Sequence, residues 1–192
     1  MKGGLVVGLL FAAGFGFGYW LERSGQVRPH TAPASSNEPA WQGQLDPGYQ
    51  QLVNTLQRKG FGFEENAQIC RQQDVVGYYT WGESNIKICS DRIHRIGGGA
   101  IASRSLLQQT IAHEATHVAQ SCRLNREGKQ DLGVGAARLQ GLSQSVQADI
   151  QRAVATGRSS YPRAVQWRIE AEAMAMEQTP TQVSAALDQF CG

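Results

Sequence analysis

The chain has 192 residues, with 18 Lys and Arg against 16 Asp and Glu, a formal net charge of +2 and 41% hydrophobic residues. This near balance leaves no electrostatic footprint for nucleic acid, and the apolar content excludes a wholly disordered chain. The 22 glycines, Gly97-Gly98-Gly99 among them, follow no repeat and mark no low-complexity class.

Lys2 precedes an uncharged apolar run from Gly3 to Leu21, about 19 residues and close to the ~20 that span a bilayer. Tyr19 and Trp20 close the run, Glu22 and Arg23 follow, and no small-residue cleavage pattern is placed for a signal peptidase. An apolar helix serving as a membrane anchor is therefore expected over residues 1–23, with a cleaved export signal as the alternative. Lys2 argues for an inside N-terminus, although Arg23 and Arg28 stand on the other flank. Residues 24–44, with Pro29, Pro33, Pro39, Ser35 and Ser36, lose apolar periodicity and read as a flexible linker. The folded domain is expected over 45–192, large enough for one hydrophobic core.

Four cysteines, Cys70, Cys89, Cys122 and Cys191, form an even set without Cys-x2-Cys spacing. In an exported chain they read as disulfides. The pairing Cys70 with Cys89 is favoured because both end strand-like stretches joined by a turn. Cys122 with Cys191 is favoured because the last helix can dock beside the helix that carries Cys122. The expected location is the cell envelope, as a single-pass membrane protein with a periplasmic domain, or secreted if the N-terminal segment is removed.

In chain order, Asp46-Pro47 opens a helix over about 47–59 that Gly60 stops. Two β-like stretches follow, about Ala67–Cys70 and Val75–Trp81, then turn residues Gly82 to Asn85 and an alternating Ile86 to Cys89, together predicting a small antiparallel sheet. Gly97-Gly98-Gly99 has no phosphate-cradle context and reads as a flexible loop or hinge. Ser103, or Ser105 with Gln108 as a capping box, opens a helix through about Arg123. Further helices are expected over about 134–156, from Pro162 to about Gln178, and from Pro180 to Phe190. The class is α+β and helix-dominated.

The helix from Ser103 contains His113-Glu114-Ala115-Thr116-His117. Two histidines four apart stack on one helical face, so both imidazoles can reach one ion, and helical spacing suits zinc's nitrogen donors. Glu114, rotated about 100° from His113, cannot be an equivalent ligand but can serve as general base to a metal-activated water. The plain alternative is a helix whose histidines only pack or hydrogen-bond.

This pentapeptide resembles the His-Glu-x-x-His helix of the zincin-type zinc metallopeptidases. No His-x5-His extension follows, whereas Trp167-Arg168-Ile169-Glu170-Ala171-Glu172-Ala173-Met174 resembles the Glu-x-x-Ala stretch of gluzincins. The resemblance implies a zincin-like domain that cleaves a protein or peptide substrate, with His113, His117 and Glu170 as ligands of Zn2+ and Glu114 as catalytic base. Glu172 competes with Glu170, and only one of the two can face the site. Gluzincins commonly carry Asp four residues after the glutamate to orient a histidine; here Met174 stands there, so another group must support His113. Oxyanion donors could come from Tyr78, Tyr79, His94 or Tyr161, which spacing does not separate. The resemblance also implies that Ile86 to Cys89 offers its edge to extended peptide, against the alternative of a plain core strand. Two other functions stand beside the peptidase: a non-catalytic envelope protein with a structural metal or partner surface, and a metallohydrolase for another amide, such as one in peptidoglycan.

Overall fold

The computed structural model describes Pro39, residues 41–156 and residues 161–192. The anchor expected over 1–23 and most of the linker lie outside the described residues. Among these, no helix is long and apolar enough to cross a membrane.

Packing begins earlier than the linker reading allowed. Trp41 is buried and sets its ring edge-on to Phe63, centroids 5.2 Å apart, and Gln42–Gln44 form a 3-10 turn. An indole with apolar partners in reach outweighs the linker-like composition around it.

Helix α1 (Pro47–Arg58) follows Asp46 and takes Pro47 at its first position, where the missing N–H costs nothing. Its buried Leu52, Val53 and Leu56 face α8 (Pro180–Phe190), which contributes Val183 and Leu187. Three strands form one sheet in the order β1-β3-β2: β1 (Gly62–Glu65), β2 (Gly77–Tyr79) and β3 (Asn85–Ile88). β1 pairs parallel with β3 and β2 antiparallel with it, so the sheet is mixed where an antiparallel one was expected. Parallel pairing of β1 needs the crossover through α2 (Gln68–Gln72), and α2 occupies most of the stretch expected as a strand at Ala67–Cys70.

After β3 the chain turns directly into α3 (Ser90–Gly97), a helix the sequence reading did not contain, and then into α4 (Ala100–Glu127). Gly97 ends α3, and Gly98 and Gly99 make the tight corner into α4. Gly98 has φ +65°, and a Cβ on Gly97 would strike the backbone nitrogen of Ser103 at 2.7 Å. The corner starts α4 ahead of both serines proposed as its cap. The expected helix over 134–156 is two helices, α5 (Ala136–Gln140) and α6 (Gln144–Thr156). Gly141 lies between them, and Ser143 Oγ accepts the Val146 N–H at 3.3 Å to open α6. Helix α7 (Arg163–Met176) completes the domain.

Both disulfides join the expected partners, Cys70–Cys89 and Cys122–Cys191. The first staples α2, and not a strand, to the end of β3; the second ties α4 to the end of α8. The main core gathers α1, β3, α4 and α8 around Leu56, Ile86, Ile111, Val118 and Leu187, while Leu139, Ile150, Val154, Ala171 and Met174 form a second core of α5, α6 and α7. Helix α4 packs on α7 where the two cores meet. The histidines of α4 and the glutamates of α7 stand at that seam.

Candidate metal centre

α4 is 28 residues long and is buried almost throughout from Leu106 to Ser121, which places His113, Glu114 and His117 in the interior. On α7, Ile169 to Met174 are buried, and the small Ala171 and Ala173 beside the glutamates leave room for close helix packing. His113 Nε2 and His117 Nε2 lie 3.1 Å apart, with rings edge to face. Glu170 brings Oε1 to 3.3 Å from His117 Nε2 and Oε2 to 3.6 Å from His113 Nε2. These three buried side chains converge closely enough to hold a metal ion between them.

The far side of each ring is also engaged. His113 Nδ1 lies 3.0 Å from Glu177 Oε1, and His117 Nδ1 lies 2.8 Å from Gln120 Oε1. A carboxylate can only accept, so His113 carries its proton on Nδ1 and directs its Nε2 lone pair toward Glu170 in the neutral form. Glu170 is fully buried, and its two oxygens face the imidazoles of His113 and His117. Such a chamber requires positive charge, since an isolated buried carboxylate is expensive.

A metal ion or a proton can supply that charge. Burial opposes charging of His113, but hydrogen bonds to Glu170 and Glu177 outweigh it and hold the imidazole pKa well above its ordinary value. Burial likewise pushes Glu170 up, yet the His117 charge and hydrogen bonds from both imidazoles bring its carboxyl to about 2. Burial raises Glu177 against the pull of His113.

Glu114 points to the β2 side of the same helix. A Cβ placed on Gly77 would come within 2.8 Å of Glu114 Oε1 and would also strike Thr110. Burial pushes the Glu114 carboxyl up, the two imidazoles pull it back, and the net direction is upward. Glu114 therefore shares the electrostatic environment of the triad without being one of its converging groups.

Glu172, the rival of Glu170, is fully buried but faces the 131–134 loop. It accepts the Leu132 N–H at 2.5 Å, the Val134 N–H at 3.0 Å and the Gln120 side-chain amide at 3.3 Å. Of the four candidate oxyanion donors, Tyr79 is buried with its hydroxyl engaged by Ser121 and the Gly82 backbone, and His94 is exposed on α3. Tyr78 lies half-buried in β2, and Tyr161 meets Trp81 at 6.4 Å between ring centroids ahead of α7. The expected peptide edge at Ile86 to Cys89 is corrected: β3 is the central strand, paired on both sides, and has no edge to offer.

Glu177 and Gln120 were absent from the sequence reading. Both carry a periodic signal, for Glu177 is seven residues after Glu170 and Gln120 three after His117, spacings that return to the same helical face. No curated protein and no solved structure matches the chain. Residues 43–192 match the domain of unknown function DUF8637, and the chain belongs to that family.

Proposed function

We propose that the chain is a zinc-dependent metallopeptidase, exported or membrane-tethered, with His113, His117 and Glu170 as metal ligands and Glu114 as general base. The observation that carries this reading is the triad's spacing. The two Nε2 atoms lie 3.1 Å apart, close to the ~3.3 Å edge of a tetrahedron whose corners lie ~2.0 Å from a central zinc. The Glu170 carboxylate turns Oε1 to one ring at 3.3 Å and Oε2 to the other at 3.6 Å, so it is placed to join them on one ion. Two nitrogens and one carboxylate are also a donor set zinc accepts, and three protein ligands match catalytic sites, where structural sites use four. When bound, zinc supplies Lewis acidity, lowering the pKa of water toward ~7 and polarising a carbonyl.

The chain's own groups supply the remaining chemistry. Glu114, adjacent to the first histidine and raised in pKa by burial, is suited to accept a proton and hand it on. Glu177 and Gln120 orient the two imidazoles. The corrected peptide rail is β2, an edge strand of the sheet that also packs on α4. Because the Cys89 N–H bonds to the Val76 carbonyl, alternation turns the backbone groups of Gly77 and Tyr79 toward the outer edge, where an extended substrate could pair. Tyr78 and Tyr161 are the candidate oxyanion donors. The two disulfides suggest an extracytoplasmic domain, in keeping with the apolar N-terminal run.

The test is Glu114→Gln assayed on a mixed peptide library. Zinc content should stay at the wild-type level while hydrolysis is lost; hydrolysis retained in that variant would remove the proposed base.

A further inference from the structure

Gln120 Oε1 faces His117 Nδ1 at 2.8 Å, while Gln120 Nε2 donates to the Ile169 carbonyl at 3.0 Å and to Glu172 Oε2 at 3.3 Å. All members of this chain are buried. An amide can be turned either way in principle, but here only one orientation is satisfied. Reversing it would set Gln120 Oε1 against two acceptors, a carbonyl and a carboxylate, in a place closed to water. The acceptor end of Gln120 is thereby aimed at His117, and His117 must carry its proton on Nδ1. Only that tautomer leaves Nε2 as a lone pair facing Glu170.

Glu172 is itself held by the backbone N–H groups of Leu132 and Val134. The loop between α4 and α5 is thus linked through Glu172 and Gln120 to the ring of His117. We propose that Gln120 is the positioning residue that sets the tautomer of His117, with Glu172 locking its amide. The inference deepens the metal-site reading above and rests on it for its consequence, metal affinity. The tautomer itself can be read without metal.

The direct experiment is a long-range proton-nitrogen NMR correlation on the full-length, metal-free protein at mildly alkaline pH. Wild type should show His117 protonated on Nδ1, and a neutral ring protonated on Nε2 with Nδ1 bare would overturn the proposal. Gln120→Met, close in shape but with no acceptor, should give mixed tautomers and weaken Zn2+ binding by roughly ten- to a hundredfold in competition with a chromophoric chelator. Glu172→Leu should weaken binding in the wild-type background and cost nothing further in Gln120→Met, because its effect passes through Gln120. Glu172→Gln, which retains an acceptor for Gln120, should recover most of the affinity lost in Glu172→Leu. A Gln120→Met protein with wild-type affinity and a wild-type tautomer contradicts the proposal. If Gln120→Met fails to fold, the Glu172→Leu and Glu172→Gln pair decides, and equal affinities in the two would overturn it. Absence of zinc binding by the wild type would instead sink the metallopeptidase reading, leaving the tautomer measurement to judge this inference alone.

Discussion

Glu177 Oε1 lies 3.0 Å from Nδ1 of His113, so α7 and its C-terminal cap supply both the carboxylate that faces Nε2 of that ring and the one that faces its back. The sequence pattern of gluzincins leads one to look four residues after Glu170, where Met174 has no acceptor. Glu177, a full seven residues on, does that work. Glu177→Gln keeps an acceptor oxygen but removes its charge and should weaken zinc binding by about tenfold. Glu177→Ala, which leaves the ring unsupported, should approach a hundredfold. Chelator competition on the folded variants measures both.

Proton and metal compete for the chamber, and the direction of that competition follows from His113. Its pKa stands well above the ordinary value without metal, so near neutral pH the imidazole is charged and metal binding must expel a proton. Zinc affinity should therefore fall as pH falls, and binding should be accompanied by proton release. Calorimetry in buffers of different ionisation enthalpy reads that proton. No dependence of the heat on buffer would contradict the assignment.

Gly77 tests how closely the edge strand must approach Glu114, the proposed base. Gly77→Ala places a methyl against Thr110 and Glu114, and overpacking of this kind costs about 1–3 kcal/mol. The expected result is a lower Tm with zinc content retained, and a larger loss of peptidase activity than of stability because Glu114 is displaced.

The disulfides should contribute unequally. Cys122–Cys191 spans 69 residues of sequence and Cys70–Cys89 spans 19. Loop-closure entropy gives about 4 kcal/mol for the longer and about 3 kcal/mol for the shorter, as upper values. Urea unfolding of the paired serine variants should rank them in that order. Chelation of metal from the wild type should leave the fold in place, because both cores are apolar clusters and the main one is also tied by Cys122–Cys191, none of which depends on the triad. Unfolding by chelator would favour a structural metal.

How far the sequence carried this account depends on the range of the interactions involved. The long helices, His113 above His117, and the disulfide pairing were legible because they rest on local periodicity, capping and helix docking. The parallel partnership of β1 with β3 was not, since Gly62-Phe63-Glu64-Glu65 has too little alternation to announce a strand. Ala67 to Cys70 misled because a short stretch with Ile69 fits either period. Glu170 and Glu172 could be separated only by tertiary contacts, one meeting imidazoles and the other the Leu132 and Val134 amides. Glu177 was hidden by an expectation borrowed from a family pattern, although its spacing was in view.

The most direct measurement is the zinc content of the purified full-length chain by mass spectrometry, for the wild type and for Glu170→Ala. One zinc per wild-type chain, and loss of most of it in folded Glu170→Ala, is the predicted result. Undiminished zinc in Glu170→Ala, or none in the wild type, would contradict the claim that His113, His117 and Glu170 hold the ion together.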